Sequence, residues 1–446
     1  HIYAAGDCAH LAHSPRPKAG VFAVRAAPIL THNIAADLTG GTRHKFKPQK
    51  HYLKLITLGP KRALADKWNR SLGGVWAWRL KDRIDRAFMD KLNHPPAMRR
   101  PELPKNAALG VAEALGPKPL CGGCGSKVGL GALDRALASI STLTRDDVEN
   151  PPGDDAAVIR FGDARQVIST DHLRAFWNDP FLMGRIAAVH ALNDVLAMGA
   201  APQAVLAQII LPPLATSMQE TWVSETLAGA SEILTAEGAS LAGGHTSIGS
   251  ELTIGFTATG LAQEQPHTLS GAVEGDALIL TGRIGSGTIM AAEMDTKANG
   301  DDVRNVLNWM ASPRGAAARV LAAHAHAMTD ITGFGLAGHV GRIATASGLS
   351  AELALSDIPF FPGAERLAKK GVRSSIWAEN RAAVDATVPD TPQGALLFDP
   401  QTAGGFLASV PKDQTETVLA ELAQADVEAT LIGQMTAKGP VTLKAS

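Results

Sequence analysis

Between residues 94 and 119 the chain loses every pattern that a regular element needs. Six prolines fall in this stretch ("HPPAMRRPELPKN", "GPKP"). Each removes a backbone donor and fixes φ. No helix or sheet is expected to run through it, so the 446 residues should fold as separate bodies joined by a linker at 94–119. Hydrophobic residues make up 45% of the chain and charged residues 19%. That is enough apolar side chain for sizeable cores, and it excludes global disorder.

The two sides of the linker differ in charge. Net charge is −1, yet residues 43–105 hold 17 Lys and Arg against 5 Asp and Glu. A basic segment favours anionic membranes or nucleic acid, or is simply a solvated face, and the last is the commonest case. No nucleic-acid partner is expected. Within it, "VWAWRLKDRIDRAFMDKL" places Trp76, Leu80, Ile84 and Phe88 four apart, the spacing of an amphipathic helix. Docking on a partner domain is the first reading of this basic helix at 75–91. Peripheral membrane contact is the second.

Upstream, "HIYAAGDCAHL" reads as a short buried strand, "KAGVFAVRAAPILTHNIAADLTG" as a helix ending in a glycine cap, and "HYLKLITLG" as a strand. Because His1 opens inside a strand pattern, the chain is expected to be a piece of something longer. Cys8, Cys121 and Cys124 are too few for a disulfide scaffold and suit a reducing compartment. With no apolar run of membrane-spanning length and no signal-peptide pattern, a cytoplasmic location is expected.

After Pro152 strands and helices alternate. "RQVISTD", "PQAVLAQIIL", "ASLAGG" and "ELTIGFTATGLA" read as strands, with helices after the first two. A second unit opens with the strand "DALILTG". Helices are expected around 286–297, 314–328, 335–347 and 413–424, with closing strands "GGFLASV", "VEATLIG" and "PVTLKA".

Five acidic residues stand at strand ends or among small helical residues: Asp154 and Asp155 in "PPGDDAAV", Asp171 in "ISTDH", Asp194 in "HALNDVLAMGA", and Asp330 in "AMTDITGFGLAGH". Magnesium bound to nucleotide needs only one or two carboxylates per ion. Such residues can therefore assemble a phosphate site without close sequence spacing. Singly, each is equally an N-cap or turn former. His190 and Asp194 share a helix face at i and i+4, and a simple local pair is the better reading of that spacing. The glycine clusters "LAGGHTSIGSE" and "TGRIGSGTIMAAEM" could cradle phosphate, or merely turn the chain. "LCGGCGSKVG" admits three readings: a redox pair, half a zinc site, or a mobile thiol followed by Lys127. An arm without chemistry stays open beside them.

Together, "GGCGSK", "GDDAAV", "STDHLRAFWNDPFLMGRIAAVHALNDVLAMGA", "LAGGHT", "MTDITGFGLAGH" and "FDPQTAGGFL" resemble the selenide, water dikinase (selenophosphate synthetase) family, in that family's order. The resemblance runs from about Cys121 to the C-terminus. It implies an α+β, aminoimidazole ribonucleotide synthetase-like two-domain fold, with an arm and lead-in at 120–150, an ATP-binding domain at 151–265 and a second domain at 266–446. It implies a homodimer, ATP and selenide as substrates, and Mg²⁺. Carried over, Cys124 handles selenium and Lys127 neutralises phosphate charge. Asp155, Asp194 and Asp330 hold Mg²⁺. Gly153, Asp154, Asp171 and Asp194, with the Gly243-Gly244-His245 turn, contact ATP. The chain departs from the family pattern at Ser126, where a second Cys is frequent, at His190, where Asn is frequent, and at Arg283, near a frequent Lys. Cys121 falls outside the matched position and is expected to be dispensable.

Residues 1–93 resemble the C-terminal end of an FAD-dependent pyridine-nucleotide oxidoreductase of the type II NADH dehydrogenase kind. "IYAAGDCAH" carries that resemblance, which implies that Asp7 binds flavin in the full-length parent. The readings weighed against selenophosphate synthesis are another ATP-using enzyme of the same superfamily, a flavin-linked disulfide oxidoreductase using Cys121 and Cys124, and an inactive ATP-binding module.

Overall fold

The computed structural model describes residues 2–68, 70–93, 106–111, 121–128, 133, 135–137, 143, 145–150 and 153–446. Apart from 106–111, the expected linker at 94–119 lies outside the described residues. The chain divides into two compact units, His1–Pro96 and Ala97–Ser446.

In the first unit, helix α1 (Gly20–Thr39) stops at Gly40, whose φ of 73° provides the expected left-handed cap. Strands β1 (Lys54–Gly59), β2 (Arg62–Lys67) and β3 (Arg70–Gly74) form an antiparallel meander. Helix α2 (Val75–Asn93) packs Ala77 against Ala63 and Ala65. Its second half stands clear, with Ile84, Phe88 and Leu92 exposed. The strand expected at 1–11 does not form. Gly6–Cys8 is a short 3₁₀ turn and Ile2 is fully exposed, because a strand needs a neighbour to pair with and none of the described residues supplies one.

The second unit holds two sheets. The first comprises β4 (Ala157–Phe161), β5 (Ala164–Arg174), β6 (Ala201–Leu211), β7 (Ser240–Ile248) and β8 (Thr253–Ala262), in the order β4-β5-β8-β6-β7. All neighbours are antiparallel except β6 and β7. Helix α3 (Pro180–Ala197) is capped by Asp179, whose Oδ1 accepts from Leu182 N at 3.1 Å. It is buried along almost its whole length, between the sheet, helix α4 (Thr216–Ala236) and the second half of the unit. α3 and α4 cover one face of the sheet. On the other face, Leu206, Ile210 and Leu261 are exposed.

The second sheet uses β9 (Ala277–Thr281), β10 (Ala327–Asp330), β11 (Ser350–Leu353), β12 (Ala386–Thr387), β13 (Phe406–Val410), β14 (Ala429–Thr436) and β15 (Leu443–Ala445), in the order β10-β13-β9-β14-β11-β15-β12. Its helices include α5 (Ser286–Met294), α6 (Gly300–Met310), α7 (Gly315–Ala322), α8 (Gly335–Ser347), α9 (Ala364–Lys369), α10 (Trp377–Ala383), α11 (Pro392–Leu396) and α12 (Thr415–Gln424). The helix expected at 314–328 is instead α7 followed by edge strand β10. Ala327–Asp330 is buried at all four positions and too short to carry a period that separates helix from strand. β10 packs on α3, which brings the two halves of the unit together at Asp194 and Asp330. No helix among the described residues is long and apolar enough to cross a membrane.

Candidate active site

Asp155 precedes β4, Asp194 lies on the last turn of α3, and Asp330 ends β10. The fold brings these three side chains close enough to interact, Asp330 fully buried and Asp155 and Asp194 half-buried. Burial and the neighbouring Asp194 charge push the Asp155 carboxyl up to about 7. Burial and Asp171 push Asp194 up to about 6. Burial, Asp194 and Asp155 raise Asp330 well above the usual carboxylate range. Asp330 Oδ2 is buried with no hydrogen-bond partner among the described residues. An unpaired buried oxygen coupled to two other carboxylates leaves negative charge uncompensated at this point of the fold. Among the described residues, no three His, Cys, Asp or Glu side chains form a metal cage by themselves.

Beside this cluster lies a region of opposite charge. Asp171, on β5, receives Lys127 Nζ at 2.9 Å and His190 Nε2 at 2.9 Å, both on Oδ2. Burial works to raise the Asp171 carboxyl, but His190 and Lys127 outweigh it and hold it well below the usual range. Spacing alone favoured a local His190–Asp194 pair. The structure corrects this: His190 turns to Asp171 on the neighbouring strand, and Asp194 Oδ2 accepts the Ser169 hydroxyl instead. Lys127 follows a 3₁₀ turn, Gly123–Ser126, that contains Cys124.

A third arrangement was not foreseen from sequence. Thr332 N–H donates to His339 Nε2 at 3.1 Å. The other ring nitrogen then carries the proton and faces Thr329 Oγ1 at 3.3 Å, and that hydroxyl donates to Asp155 Oδ1 at 3.0 Å. Burial, with the Arg342 and Lys127 charges, lowers His339 to about 3, which keeps the ring neutral. The Asp330 carbonyl lies 3.1 Å from the same hydroxyl, so Asp155 and the Asp330 backbone share the Thr329 proton. The only signal in the sequence was that His339 closes the same "TDITGFGLAGH" run that supplies Asp330.

Other expected residues lie elsewhere. The Asp154 carboxylate accepts Leu269 N at 2.9 Å and Asn150 Nδ2 at 3.2 Å, and the Gly153 carbonyl accepts Arg342. These two residues tie the "GDD" loop to the second half of the unit. Gly243, Gly244 and His245 form no turn. They lie inside β7, because a bare glycine backbone lets β7 pair closely with β6: a Cβ on Gly244 would sit 2.1 Å from Ala207 O. β8 and β6 separate β7 from β5, a distance of about 14 Å at ordinary strand spacing. In the second glycine cluster Gln401 Oε1 accepts Gly285 N, Ser286 N and the Ser286 hydroxyl. Asp7 lies in the first unit, on its 3₁₀ turn.

The arrangement pairs a buried acidic cluster with a Lys on a glycine-rich turn, which suits the handling of a nucleotide's phosphates. The AIR synthase related protein N-terminal domain family matches residues 153–262, and the corresponding C-terminal domain family matches 273–446. Selenide, water dikinase of Bdellovibrio bacteriovorus is 33% identical over 326 residues, covering 70% of this chain and 93% of that relative. Its namesake in Desulfitobacterium hafniense is 35% identical, covering 71% and 95%.

The chain belongs to the selenide, water dikinase family.

The solved structures bear on fold alone. Thiamine-monophosphate kinase from Stenotrophomonas maltophilia aligns with a TM-score of 0.53 at 21% identity, over 72% of this chain and 96% of that one. The thiamine monophosphate kinase of Aquifex aeolicus gives 0.54 at 18%, over 71% and 96%. The α+β fold expected for the selenide, water dikinase family is thus the observed one.

Proposed function

We propose that this chain makes selenophosphate: ATP + selenide + water → selenophosphate + AMP + phosphate. The observation that carries the reading is Lys127, which stands on the glycine-rich turn 2.9 Å from Asp171, beside Asp155, Asp194 and Asp330. Family membership supports the reaction, and the Lys127–Asp171 contact beside the carboxylates supports this location for it.

The three clustered carboxylates would suit magnesium, the buried and unpartnered Asp330 Oδ2 most directly. Magnesium bound with the nucleotide would neutralise phosphate charge during transfer. Asp155, Asp194 and Asp330 would hold it, with Thr329 and Ser169 orienting two of them. Lys127 exchanges Asp171 for the phosphates when ATP binds and offsets charge on the transferring group. Cys124, three residues before it, presents selenium to the γ-phosphate. The two transfers leave AMP: the γ-phosphoryl goes to selenide and the β-phosphoryl to water.

Gly243, Gly244 and His245 serve a nucleotide through a second copy of the chain. The open sheet face with Leu206, Ile210 and Leu261 and the unpaired edge of β7 are suited to a homodimer. The first unit is read as the C-terminal piece of an FAD-dependent oxidoreductase, with Asp7 at the flavin in the parent. No glycine-rich nucleotide fingerprint stands in it, and no step is assigned to flavin. Its basic helix α2 suits an anionic membrane surface, and a cytoplasmic location goes with the whole reading.

The test is nucleotide analysis after incubation with ATP, Mg²⁺ and selenide. AMP formed only when selenide is present supports the reading. ADP as the end product, as from a simple kinase, overturns it.

A further inference from the structure

The glycine-rich turn carries almost nothing that could bury itself. Its sequence from 121 to 126 is Cys-Gly-Gly-Cys-Gly-Ser, so its place depends on backbone contacts. Two of these run through one hydroxyl. Ser375, just before α10, donates to the Gly125 carbonyl at 2.7 Å and accepts the Cys121 N–H at 3.2 Å. On the other side stands Phe176, in the segment between β5 and α3. A Cβ on Gly122 would lie 2.5 Å from Phe176 Cβ, and one on Gly123 would lie 3.0 Å from both the Phe176 ring and Thr402 Oγ1. The seat therefore accepts only bare backbone. Lys127, just after the turn, is held separately on Asp171. The turn is thus pinned to the first sheet by Lys127 and to the second half of the unit by Ser375.

We propose that Ser375 is the positioning residue that latches the glycine-rich turn in its closed place and so sets how often Cys124 and Lys127 stand over bound nucleotide. The proposal rests on the function given above. Ser375 is itself exposed, so water competes for both bonds and the latch can open. An open arm admits ATP and selenide. A closed arm presents the thiol and the ammonium. Loss of the hydroxyl should leave nucleotide affinity almost unchanged and reduce the closed fraction during turnover.

The test uses the full chain as wild type, Ser375→Ala and Ser375→Thr. Hydrogen exchange of the 121–127 peptide is read by mass spectrometry without ligand. Steady-state turnover is read with ATP, Mg²⁺ and selenide. Loss of two hydrogen bonds should speed exchange in Ser375→Ala about fivefold or more. It should also lower kcat about fivefold, with KM for ATP within about twofold of wild type. Ser375→Thr, which keeps the hydroxyl, should restore both. Unchanged exchange in Ser375→Ala overturns the latch. Faster exchange with wild-type kcat overturns its role in turnover, as does a change confined to KM. If wild type shows no selenide-dependent turnover, the functional reading and the catalytic half of this proposal both fail, and the exchange data still decide whether the latch exists.

Discussion

Lys127 Nζ and Asp171 Oδ2 meet at 2.9 Å across 44 residues of chain, joining the glycine-rich turn to a strand of the first sheet. Asp171 Oδ2 also meets His190 Nε2 at 2.9 Å, so an ammonium and an imidazole share one carboxylate oxygen. A nucleotide phosphate that draws Lys127 away leaves His190 to compensate Asp171.

Lys127→Ala should abolish most turnover. Removing a donor that stabilises developing charge costs about 10²–10³ in kcat. The side chain is partly exposed, so the variant should melt close to wild type. Selenide-dependent AMP formation checks the first expectation, and a thermal melt the second. Full turnover in this variant removes the role assigned to Lys127.

Thr329→Val should act on the metal and not on the fold. It keeps the shape and removes the proton donated to Asp155 at 3.0 Å. Partners that orient a ligand are worth about 10–100-fold in metal affinity. The Mg²⁺ concentration for half-maximal turnover should rise by about that factor, and saturating Mg²⁺ should recover much of kcat. His339→Phe, which removes the group that fixes the Thr329 proton, should move the same quantity in the same direction.

Leu206→Glu should separate the proposed dimer. Leu206 is 46% exposed on the uncovered sheet face, so a charge there costs the single chain little. Light scattering should report a monomer where wild type gives a dimer. Turnover should fall as well, because Gly243, Gly244 and His245 would no longer reach a nucleotide. A fully active monomer contradicts that part of the account.

Away from the site, His324 gives a pH signature. Its ring contacts Gln414 Oε1 at 2.8 Å and Glu421 Oε2 at 2.9 Å, and the Gln414 bond, then Glu421, raises it above the ordinary 6.5 against the opposing effect of burial. A raised folded value means stability that is present in full below 6.5 and lost as pH rises through the folded value. His324→Gln should therefore lower Tm more at about pH 5.5 than at about pH 8.5. The pair is partly exposed, so the effect should be small and weaken with added salt.

The alternation after Pro152 made the first sheet legible, because its strands of ten or eleven residues and a helix of 21 carry clear periods, whereas β11 and β12 of the second, four and two residues long, left none to read. The acidic residues were legible as candidates because each stood at an element's end. Their convergence was not, since nothing local says that β10 packs on α3. Short buried β10 was misread as helix for lack of a period. The Gly243–His245 segment was misread as a turn because glycine signals backbone freedom, whereas here it permits close strand pairing. His339 and Ser375 were missed for a common reason. Each acts by hydrogen bonds to atoms far along the chain or to bare backbone, and such partners leave no spacing to read.

The central claim is that the buried carboxylates and the Lys127 turn serve selenophosphate synthesis. ³¹P NMR of the full chain with ATP, Mg²⁺ and selenide tests it most directly. The account predicts three products growing together, selenophosphate, AMP and orthophosphate, all absent without selenide and lost in Lys127→Ala. ATP unchanged by selenide, or converted to ADP with no phosphorus–selenium signal, would contradict it.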